Sequence, residues 1–308
     1  MQKTATVKLN KKEASLVQDK LESVGWEAEI DKNQYVNWRM VNLSGAIAVM
    51  YTSGKLVLQG EASIIENTLT ELGNNSISST NKIKGQEFKP SEIIGCDEAG
   101  KGEFFGPLVL GVCYIPEDRV SEVKSMGVQD SKRLSDDKIL SIAETLEGKV
   151  LYELDVLEPT KLNAMWGETR NLSEVMAQRY SVTIKRLVDE LEGTDFTCKA
   201  IVIDQFTKIS TRVENALKEV GICPSETGLK CIQIPRGEAH LSVAAASILA
   251  RAAYLNKMSE YEEEFDIGIP RGYDGVAAFS RKFIAEYSED ELQKLAKTFF
   301  KTYKELNL

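Results

Sequence analysis

The sequence has no long apolar run, and this absence argues against a membrane anchor. Among its 308 residues, no stretch approaches the ~18 consecutive apolar residues that a transmembrane helix requires. No apolar segment follows the basic residues at the N-terminus, so no secretory signal peptide is expected there. We therefore expect a cytoplasmic protein that does not bind a membrane.

Clustered cysteine and histidine are also lacking. The sequence has one histidine, His240, and five scattered cysteines that include no CxxC pair. A zinc site or a disulfide framework requires such residues at regular short spacings. The pattern therefore favours reduced, buried thiols.

An excess of positive charge is the third absence. The chain carries 38 Lys+Arg against 47 Asp+Glu, and a net charge of −9 does not favour simple electrostatic binding of a nucleic acid. Residues 1–89 carry 11 basic and 10 acidic side chains, whereas the remainder carries 27 basic and 37 acidic ones. The acidity thus belongs to the C-terminal part, which needs metal ions if it handles a polyanion.

The most informative stretch that is present runs over residues 93–107, IIGCDEAGKGEFFGP. A short apolar strand delivers two adjacent acids, Asp97 and Glu98, and a glycine-rich loop with a lysine follows. Adjacent carboxylates repel each other and burial raises their pKa, so a divalent cation between them removes a cost. Glycines allow a backbone to approach a ligand closely. The stretch favours a metal beside a phosphate-bearing ligand, although an acidic hairpin turn would contain the same residue types.

A polar segment divides the chain. Residues 1–72 alternate between strand-like and helical patterns and predict a small α+β domain. Residues 73–89 are polar and lack periodicity, which is typical of a linker. Residues 90–308 predict an α/β domain in which a mixed five-stranded sheet is flanked by helices. Its strands are expected at 93–98, 108–115, 150–156, 199–204 and 229–234, and its longer helices at 172–191, 243–256, 276–287 and 289–303.

Four carboxylates fall close to predicted strand ends. Asp97 and Glu98 end the first strand of the larger domain, Asp204 ends the fourth, and Glu238 precedes the helix after the fifth. Adjacent strands lie about 4.8 Å apart, so these acids converge if the first and fourth strands are neighbours. Oxygen donors without histidine or thiolate favour Mg²⁺ or Mn²⁺ over zinc.

Two such ions about 3.5–4 Å apart can activate a water and stabilise the leaving oxygen of a phosphodiester. We expect Asp97 to bridge them. For His240 a surface or helix-capping role is expected, and a proton relay beside the acids is the alternative.

The N-terminal domain contains a candidate nucleic-acid surface. Lys8, Arg39 and Lys55, together with Trp38 and Tyr51, can form a flat basic and aromatic sheet face. From composition alone, ordinary solvated sheet residues are the favoured alternative.

Four segments resemble, in order, the motifs of type 2 ribonucleases H. They are GCDEAGKG (95–102), DSKRLS (130–135), VIDQF (202–206) and SVAAASILAR (242–251). The resemblance extends from Glu92 to about Tyr287. It points to the ribonuclease HIII branch because of EFFGP (103–107), the Phe206 that follows Asp204-Gln205, and residues 49–60, which are similar to that branch's TATA-box-binding-protein-like substrate domain.

The resemblance implies an RNase H-like fold that hydrolyses the RNA strand of RNA/DNA hybrids and leaves 5′-phosphate and 3′-hydroxyl ends. Asp97, Glu98 and Asp204 match the family's first three metal-binding acids. Glu238 would be the fourth, but its spacing to Ser247 is one residue shorter than usual and would place Gly237 at the acid position.

The same resemblance assigns substrate recognition. Gly100, Lys101 and Gly102 match the tripeptide that recognises the ribose 2′-hydroxyl, the group that distinguishes RNA from DNA. Lys101 is not the residue most often found there and can add a phosphate contact. In the N-terminal domain, Arg39 and Lys55 are the candidate substrate contacts.

Two other functions stay open from the sequence. One is a ribonuclease HII-like enzyme that incises duplex DNA at single ribonucleotides. The other is a hybrid-binding protein without catalysis, which the intact acidic set disfavours because carboxylates without metal repel phosphate. No obligate protein partner is implied, and we expect a monomer.

Overall fold

The chain divides into two compact units, Met1–Gly85 and Gln86–Leu308. The computed structural model describes residues 2–9, 11–31, 33–65, 68, 88–129, 131–193, 196–207, 209, 211–224, 228–272 and 274–306. The predicted linker, apart from residues 88 and 89, lies outside the described residues. The pattern of residues 62–72 predicts a second helix of the first unit; of these, residues 62–65 and 68 are described, and they are helical. No helix among the described residues is long and apolar enough to cross a membrane.

The N-terminal unit is an antiparallel sheet of five strands with the helix α1, Lys11–Ser23. Its order is β1-β5-β4-β3-β2. The strands are β1 (Gln2–Lys8), β2 (Glu27–Glu29), β3 (Val36–Val41), β4 (Ile47–Tyr51) and β5 (Lys55–Glu61). Leu56 and Leu58 are fully buried, whereas Lys55 and Gln59 are exposed. This alternation places one sheet face on the core and leaves the other more open.

The C-terminal unit is built on a mixed sheet in the order β10-β9-β6-β7-β8. Its strands are β6 (Ile93–Ala99), β7 (Leu108–Tyr114), β8 (Leu151–Leu157), β9 (Ala200–Asp204) and β10 (Lys230–Ile234). β7 runs antiparallel to both β6 and β8, whereas β9 runs parallel to both β6 and β10. The mixed five-stranded sheet is therefore confirmed, and its first and fourth strands are neighbours.

Helices cover both faces of this sheet. They are α2 (Val120–Ser125), α3 (Asp136–Leu146), α4 (Pro159–Thr169), α5 (Leu172–Leu191), α6 (Thr211–Glu219), α7 (Leu241–Phe265), α8 (Val276–Glu286), α9 (Glu289–Leu295) and α10 (Lys301–Glu305). α7 packs in the core on one face, and α5 packs in the core on the other. α5 has the predicted bounds, whereas α7 is much longer than predicted.

The single helix expected over residues 289–303 is wrong. The structure has α9 and α10 instead, separated by a bridge residue, Ala296, and a turn closed by the Phe300 N–H donating to the Lys297 carbonyl. Ala296 forms an antiparallel bridge with Phe105, and the side chain of Lys297 is fully buried. Backbone pairing with a loop that lies far away in the sequence replaces helical hydrogen bonds here, and no local pattern reveals such a partner.

The helix α7 lies unusually close to the sheet. A Cβ atom added at Gly95 would stand 2.2 Å from the carbonyl carbon of Ser242, and one at Gly111 would stand 2.6 Å from the carbonyl oxygen of Ala246. Small residues on both elements therefore permit the close approach, as the run of alanines in α7 predicts.

Candidate active site

A cleft of about 530 Å³ opens where β6 and β9 end. Ligands commonly bind at the carboxyl ends of strands in such sheets. The cleft is lined by Asp97, Glu98, Ala99, Gly100, Lys101, Gly102, Glu103, Ser131, Lys132, Leu134, Asp136, Ile139, Asp204 and Arg251. The structure thus brings three of the four predicted acids and the whole Gly100–Gly102 tripeptide to one surface.

Asp97 is almost fully buried, with 6% of its surface exposed. One carboxylate oxygen accepts a hydrogen bond from the backbone N–H of Glu98 at 2.8 Å, and the Ser247 hydroxyl of α7 donates a second. The Ser247 and Ser131 hydroxyls stand 2.8 Å apart. Burial, followed by the charges of Glu98 and Asp204, raises the pKa of Asp97 to about 8.

Glu98 contacts the opposite side of the sheet, because successive strand residues alternate in direction. The Tyr180 hydroxyl of α5 donates to its Oε2 at 3.0 Å, and the Lys101 ammonium lies 3.0 Å from its Oε1. Burial raises the pKa of Glu98, and the nearby Asp204 adds to the rise, whereas Lys101 and Tyr180 oppose it. Ionising both adjacent acids is therefore costly without a further cation.

Asp204 ends β9 and is partly exposed. Its Oδ1 accepts a hydrogen bond of 2.8 Å from the backbone N–H of Gly237. A Cβ atom at Gly237 would stand 3.1 Å from the Asp204 Cα, so a side chain at this position would crowd β9.

Glu238 does not line the cleft. It lies in the short turn Gly237–Ala239 and is partly buried. Among the described residues, no three Asp, Glu, His or Cys side chains are already arranged to hold a metal ion. The role of Glu238 as a fourth ligand therefore stays a prediction.

Of the surface or helix-capping role expected for His240, only a cap made by its side chain is wrong, because the residue does take the cap position. His240 occupies the position before α7, but its side chain makes no capping hydrogen bond. Its Nε2 atom is buried and has no hydrogen-bond partner among the described residues, and burial lowers the pKa of the imidazole. The alternative role, a proton relay, stays a prediction.

The two glycines of the loop differ: Gly100 has a backbone conformation that favours glycine, whereas Gly102 has free space around it. Gly100 has φ +77°, and a Cβ atom there would stand 2.2 Å from the carbonyl oxygen of Pro107. A Cβ atom at Gly102 would meet nothing within 4 Å. Gly100 therefore has a conformational role, whereas Gly102 leaves space through which a ligand can approach the backbone.

The prediction of a basic and aromatic sheet face in the N-terminal unit is wrong for Trp38. Trp38 packs against that unit's core, because it alternates in direction with Arg39. Arg39 is paired with Glu29, Nε to Oε2, at 2.6 Å, and with Asp31 at 3.8 Å. Lys55 is exposed and lies opposite Lys8 in the β1–β5 pairing.

Two side chains next to the site carry no signal in the sequence. Tyr180 has the helical spacing of an ordinary core residue of α5, and its contact with Glu98 depends on how α5 crosses the sheet. Lys297 lies in the segment that was predicted to be helical. Ser131 and Ser247 do have a signal, because both fall within segments that resemble family motifs.

Comparisons with known proteins agree with this geometry. A family model described as ribonuclease HII matches residues 94–303. Ribonuclease HIII of Chlamydia felis is 32% identical over 295 residues, which cover 94% of this chain and 93% of that protein. Ribonuclease HIII of Protochlamydia amoebophila is 33% identical and covers 84% of this chain and 82% of its own length. The chain belongs to the ribonuclease HIII family.

Solved structures support the fold of this ribonuclease HIII. Bst-RNase HIII, solved in complex with Mn²⁺, has a TM-score of 0.64 at 24% identity and covers 99% of this chain and 98% of its own. RNase H3 of Aquifex aeolicus has a TM-score of 0.51 at 25% identity, and the match covers 95% of this chain and 98% of that protein. The RNase H-like fold is thus confirmed, and membership of the family makes the chain a metal-dependent endoribonuclease that hydrolyses the RNA strand of RNA/DNA hybrids.

Proposed function

We propose that the chain cleaves RNA at the cleft where β6 and β9 end, with Asp97, Glu98 and Asp204 as its first metal ligands. The observation that carries the proposal is the buried acid pair. Asp97 and Glu98 are adjacent, both have raised pKa values, and both line the cleft with Asp204. A cleft in which three carboxylates face one lysine, Lys101, is suited to a divalent cation.

The donor chemistry fits Mg²⁺ or Mn²⁺, with two ions per site. All three ligands offer hard carboxylate oxygens, which these ions prefer. When bound, the ions supply an activated water and stabilise the leaving oxygen of the phosphodiester. Asp97 is the candidate for the ligand that both ions share, and Glu238 is the candidate fourth ligand, which requires the turn Gly237–Ala239 to bring its carboxylate into the cleft.

Neighbouring side chains of the protein orient these acids. Ser247 holds Asp97 from α7, Tyr180 holds Glu98 from α5, and the backbone of Gly237 holds Asp204. Three separate elements thus contact the three carboxylates, and such support lowers the cost of assembling a metal site.

Substrate recognition is proposed for Gly100, Lys101 and Gly102. The open space at Gly102 allows the backbone to approach the ribose 2′-hydroxyl. Lys101 is paired with Glu98 at the edge of the cleft, and its ammonium group is the candidate contact for a phosphate of the substrate.

We propose that residues 1–72 bind the hybrid duplex, that residues 73–89 link the domains and that residues 90–308 form the catalytic domain. Arg39 and Lys55 are the candidate contacts of the first domain, and the ion pair of Arg39 with Glu29 makes Lys55 the more available of the two. We further propose that the enzyme acts as a cytoplasmic monomer.

Replacing Asp97 tests the site. Asp97→Asn should abolish metal-dependent cleavage of an RNA/DNA hybrid, because a shared ligand is lost, while hybrid binding stays measurable. Glu238→Gln should lower the cleavage rate if Glu238 is the fourth ligand. Asp290→Asn, an exposed acid on α9, is the matched control and should cleave at the wild-type rate. Retained cleavage by Asp97→Asn would contradict the metal assignment.

A second substrate tests the ribonuclease HII-like alternative. Cleavage of the hybrid should be compared with incision of a DNA duplex that carries one ribonucleotide, each with Mg²⁺ and with Mn²⁺. We expect strong preference for the hybrid. Efficient incision on the 5′ side of the single ribonucleotide would favour the alternative.

A further inference from the structure

The side chain of Lys297 is fully buried, which is rare for a lysine. Burial lowers its pKa to about 7. A lysine in such a place stabilises the fold only if its donors find partners, because an unpaired buried polar group is costly. Its partners therefore indicate what it does.

All three hydrogen bonds of the Lys297 side chain go to one loop. The Nζ atom donates to the carbonyl oxygens of Gly106 at 2.6 Å, Glu103 at 2.8 Å and Phe105 at 3.4 Å. Three carbonyl dipoles converge on one nitrogen, and an ammonium group is the side chain that offers three donors from a single atom.

The backbone around Lys297 holds the same loop. The Lys297 N–H donates to the Phe104 carbonyl at 2.9 Å, and the Gly106 N–H donates to the Leu295 carbonyl at 2.8 Å. The segment is itself fixed by Asn163 of α4, which donates to the Ala296 carbonyl at 2.9 Å. The same Asn163 side chain accepts from the Thr298 N–H at 3.0 Å.

This loop follows the Gly100–Gly102 tripeptide directly. The Glu103 N–H donates to the Gly100 carbonyl at 3.2 Å, so the anchored residues and the tripeptide share a turn. The position of the tripeptide in the cleft therefore depends on where residues 103–106 are held.

We propose that Lys297 is a positioning residue for substrate recognition: by binding three carbonyls of residues 103–106 it holds Gly100–Gly102 at the distance from which the loop discriminates ribose from other sugars. This inference rests on the proposed role of the tripeptide. Lys297 itself does not touch the substrate. The chain thereby connects its C-terminal segment to the specificity of the cleft.

The test compares two substrates with each enzyme. One is an RNA/DNA hybrid, and the other carries fluorine in place of a single ribose 2′-hydroxyl, which removes a hydrogen-bond donor. The readout is the value of kcat/KM for the unmodified hybrid divided by that for the fluorinated hybrid, both measured for cleavage at that nucleotide. A loss of folded enzyme lowers both values by the same factor and leaves the ratio unchanged, so a purely structural role would not alter it.

Lys297→Met removes the donors at similar volume and should lower this ratio about tenfold or more, since small misplacements of a substrate-positioning group are costly. Lys301→Met is the matched control in an exposed position of the same segment and should keep the wild-type ratio. A wild-type ratio in Lys297→Met would overturn the proposal.

Gly102→Ala separates this proposal from the one on which it rests. Its new methyl group has free space and its backbone is not left-handed, so the variant should fold. A lowered ratio supports recognition by the tripeptide. If Gly102→Ala leaves the ratio unchanged, recognition of the 2′-hydroxyl by the tripeptide is contradicted. If Gly102→Ala lowers the ratio but Lys297→Met does not, only the role of Lys297 is overturned.

A second pair of variants applies if Lys297→Met does not fold. Asn163→Ala removes the two hydrogen bonds that fix the segment, and Asn171→Ala removes a helix cap from the neighbouring α5. Asn163→Ala should lower the ratio and speed hydrogen exchange in residues 100–107, and Asn171→Ala should do neither. Equal behaviour of the two variants would overturn the proposal.

Discussion

At the residue scale, the site is dominated by carboxylates whose negative charges are opposed by burial. Asp97 and Glu98 both have raised pKa values, yet each accepts hydrogen bonds that favour its charged form. The hydrogen bonds keep the geometry of the two carboxylates fixed, while burial favours their protonated forms. Metal binding is therefore coupled to the release of protons from these acids.

Tyr180→Phe tests the support of Glu98. The substitution removes one hydroxyl and the 3.0 Å hydrogen bond to Oε2. Loss of a hydrogen bond to a metal-binding carboxylate typically lowers metal affinity about 10- to 100-fold, so the metal concentration for half-maximal cleavage should rise. Calorimetric titration with Mn²⁺ measures the metal affinity directly, without an activity assay.

Tyr303→Phe is the matched control for this change. Tyr303 donates to Glu289 at 2.7 Å at a site remote from the cleft. The Tyr303→Phe variant should therefore need the same metal concentration for half-maximal cleavage as wild type. An equal metal requirement in both variants would show that Tyr180 does not support Glu98.

Lys297 gives a pH dependence of stability with a definite sign. Its pKa is about 7 in the folded protein against 10.5 ordinarily, so the unfolded chain binds more protons between these values. The contribution of Lys297 to stability is therefore fully present above its ordinary pKa and is lost as the pH falls through 7.

The measurement is the free energy of unfolding of wild type and Lys297→Met by denaturant titration across this pH range. As the pH increases from 7 towards 10.5, the free energy of unfolding of wild type should rise relative to that of Lys297→Met, by on the order of a few kcal/mol. A difference that is independent of pH would contradict the lowered pKa.

At the element scale, the contact between α7 and the sheet determines where the acids lie. α7 carries Ser247 to Asp97, and glycines in β6 and β7 permit the approach. A bulkier strand residue would push the helix away and move a hydroxyl that holds the central carboxylate.

Gly95→Ala should therefore destabilise the protein by at least about 2 kcal/mol, since its methyl group overlaps the α7 backbone. Gly167→Ala in α4 is the matched control, because its Cβ meets nothing within 4 Å and alanine favours a helix. Thermal and denaturant unfolding measure both. A Gly95→Ala variant as stable as wild type would contradict the close approach.

At the scale of the whole molecule, charge is divided between the two units. The C-terminal unit is acidic and is proposed to bind a polyanion through metal ions, whereas basic side chains of the N-terminal unit are the proposed direct contacts with phosphates. Such contacts release counterions, and affinity then falls with salt in proportion to their number.

Lys55→Gln in the full chain should reduce the slope of log affinity against log salt by about 1, the value for one phosphate contact. Arg39→Gln should reduce it by less, because Glu29 and Asp31 already pair with Arg39. Lys301→Gln in the C-terminal unit is the control. Identical slopes for all variants and wild type would remove the N-terminal surface from the proposal.

Much of the molecule follows from local sequence. The alternation in β5, the Ser135 cap of α3 and the bounds of α5 depend on residues within a few positions of one another, so their patterns predict them. The acids Asp97, Glu98 and Asp204 could be found because each follows a predicted strand. That β6 and β9 are neighbours makes the three line one cleft.

Other features depend on contacts between distant parts of the chain, and only the tertiary structure decides them. Trp38 faces the core because of its register in β3, and the helix expected after residue 289 breaks because its middle pairs with the loop at Phe105. The sequence by itself determined the chemistry of the site, because that chemistry depends on residue type at strand ends. Tertiary structure decided which groups contact the proposed site, because Tyr180 and Lys297 acquire their hydrogen bonds only through partners that the folded chain brings to them.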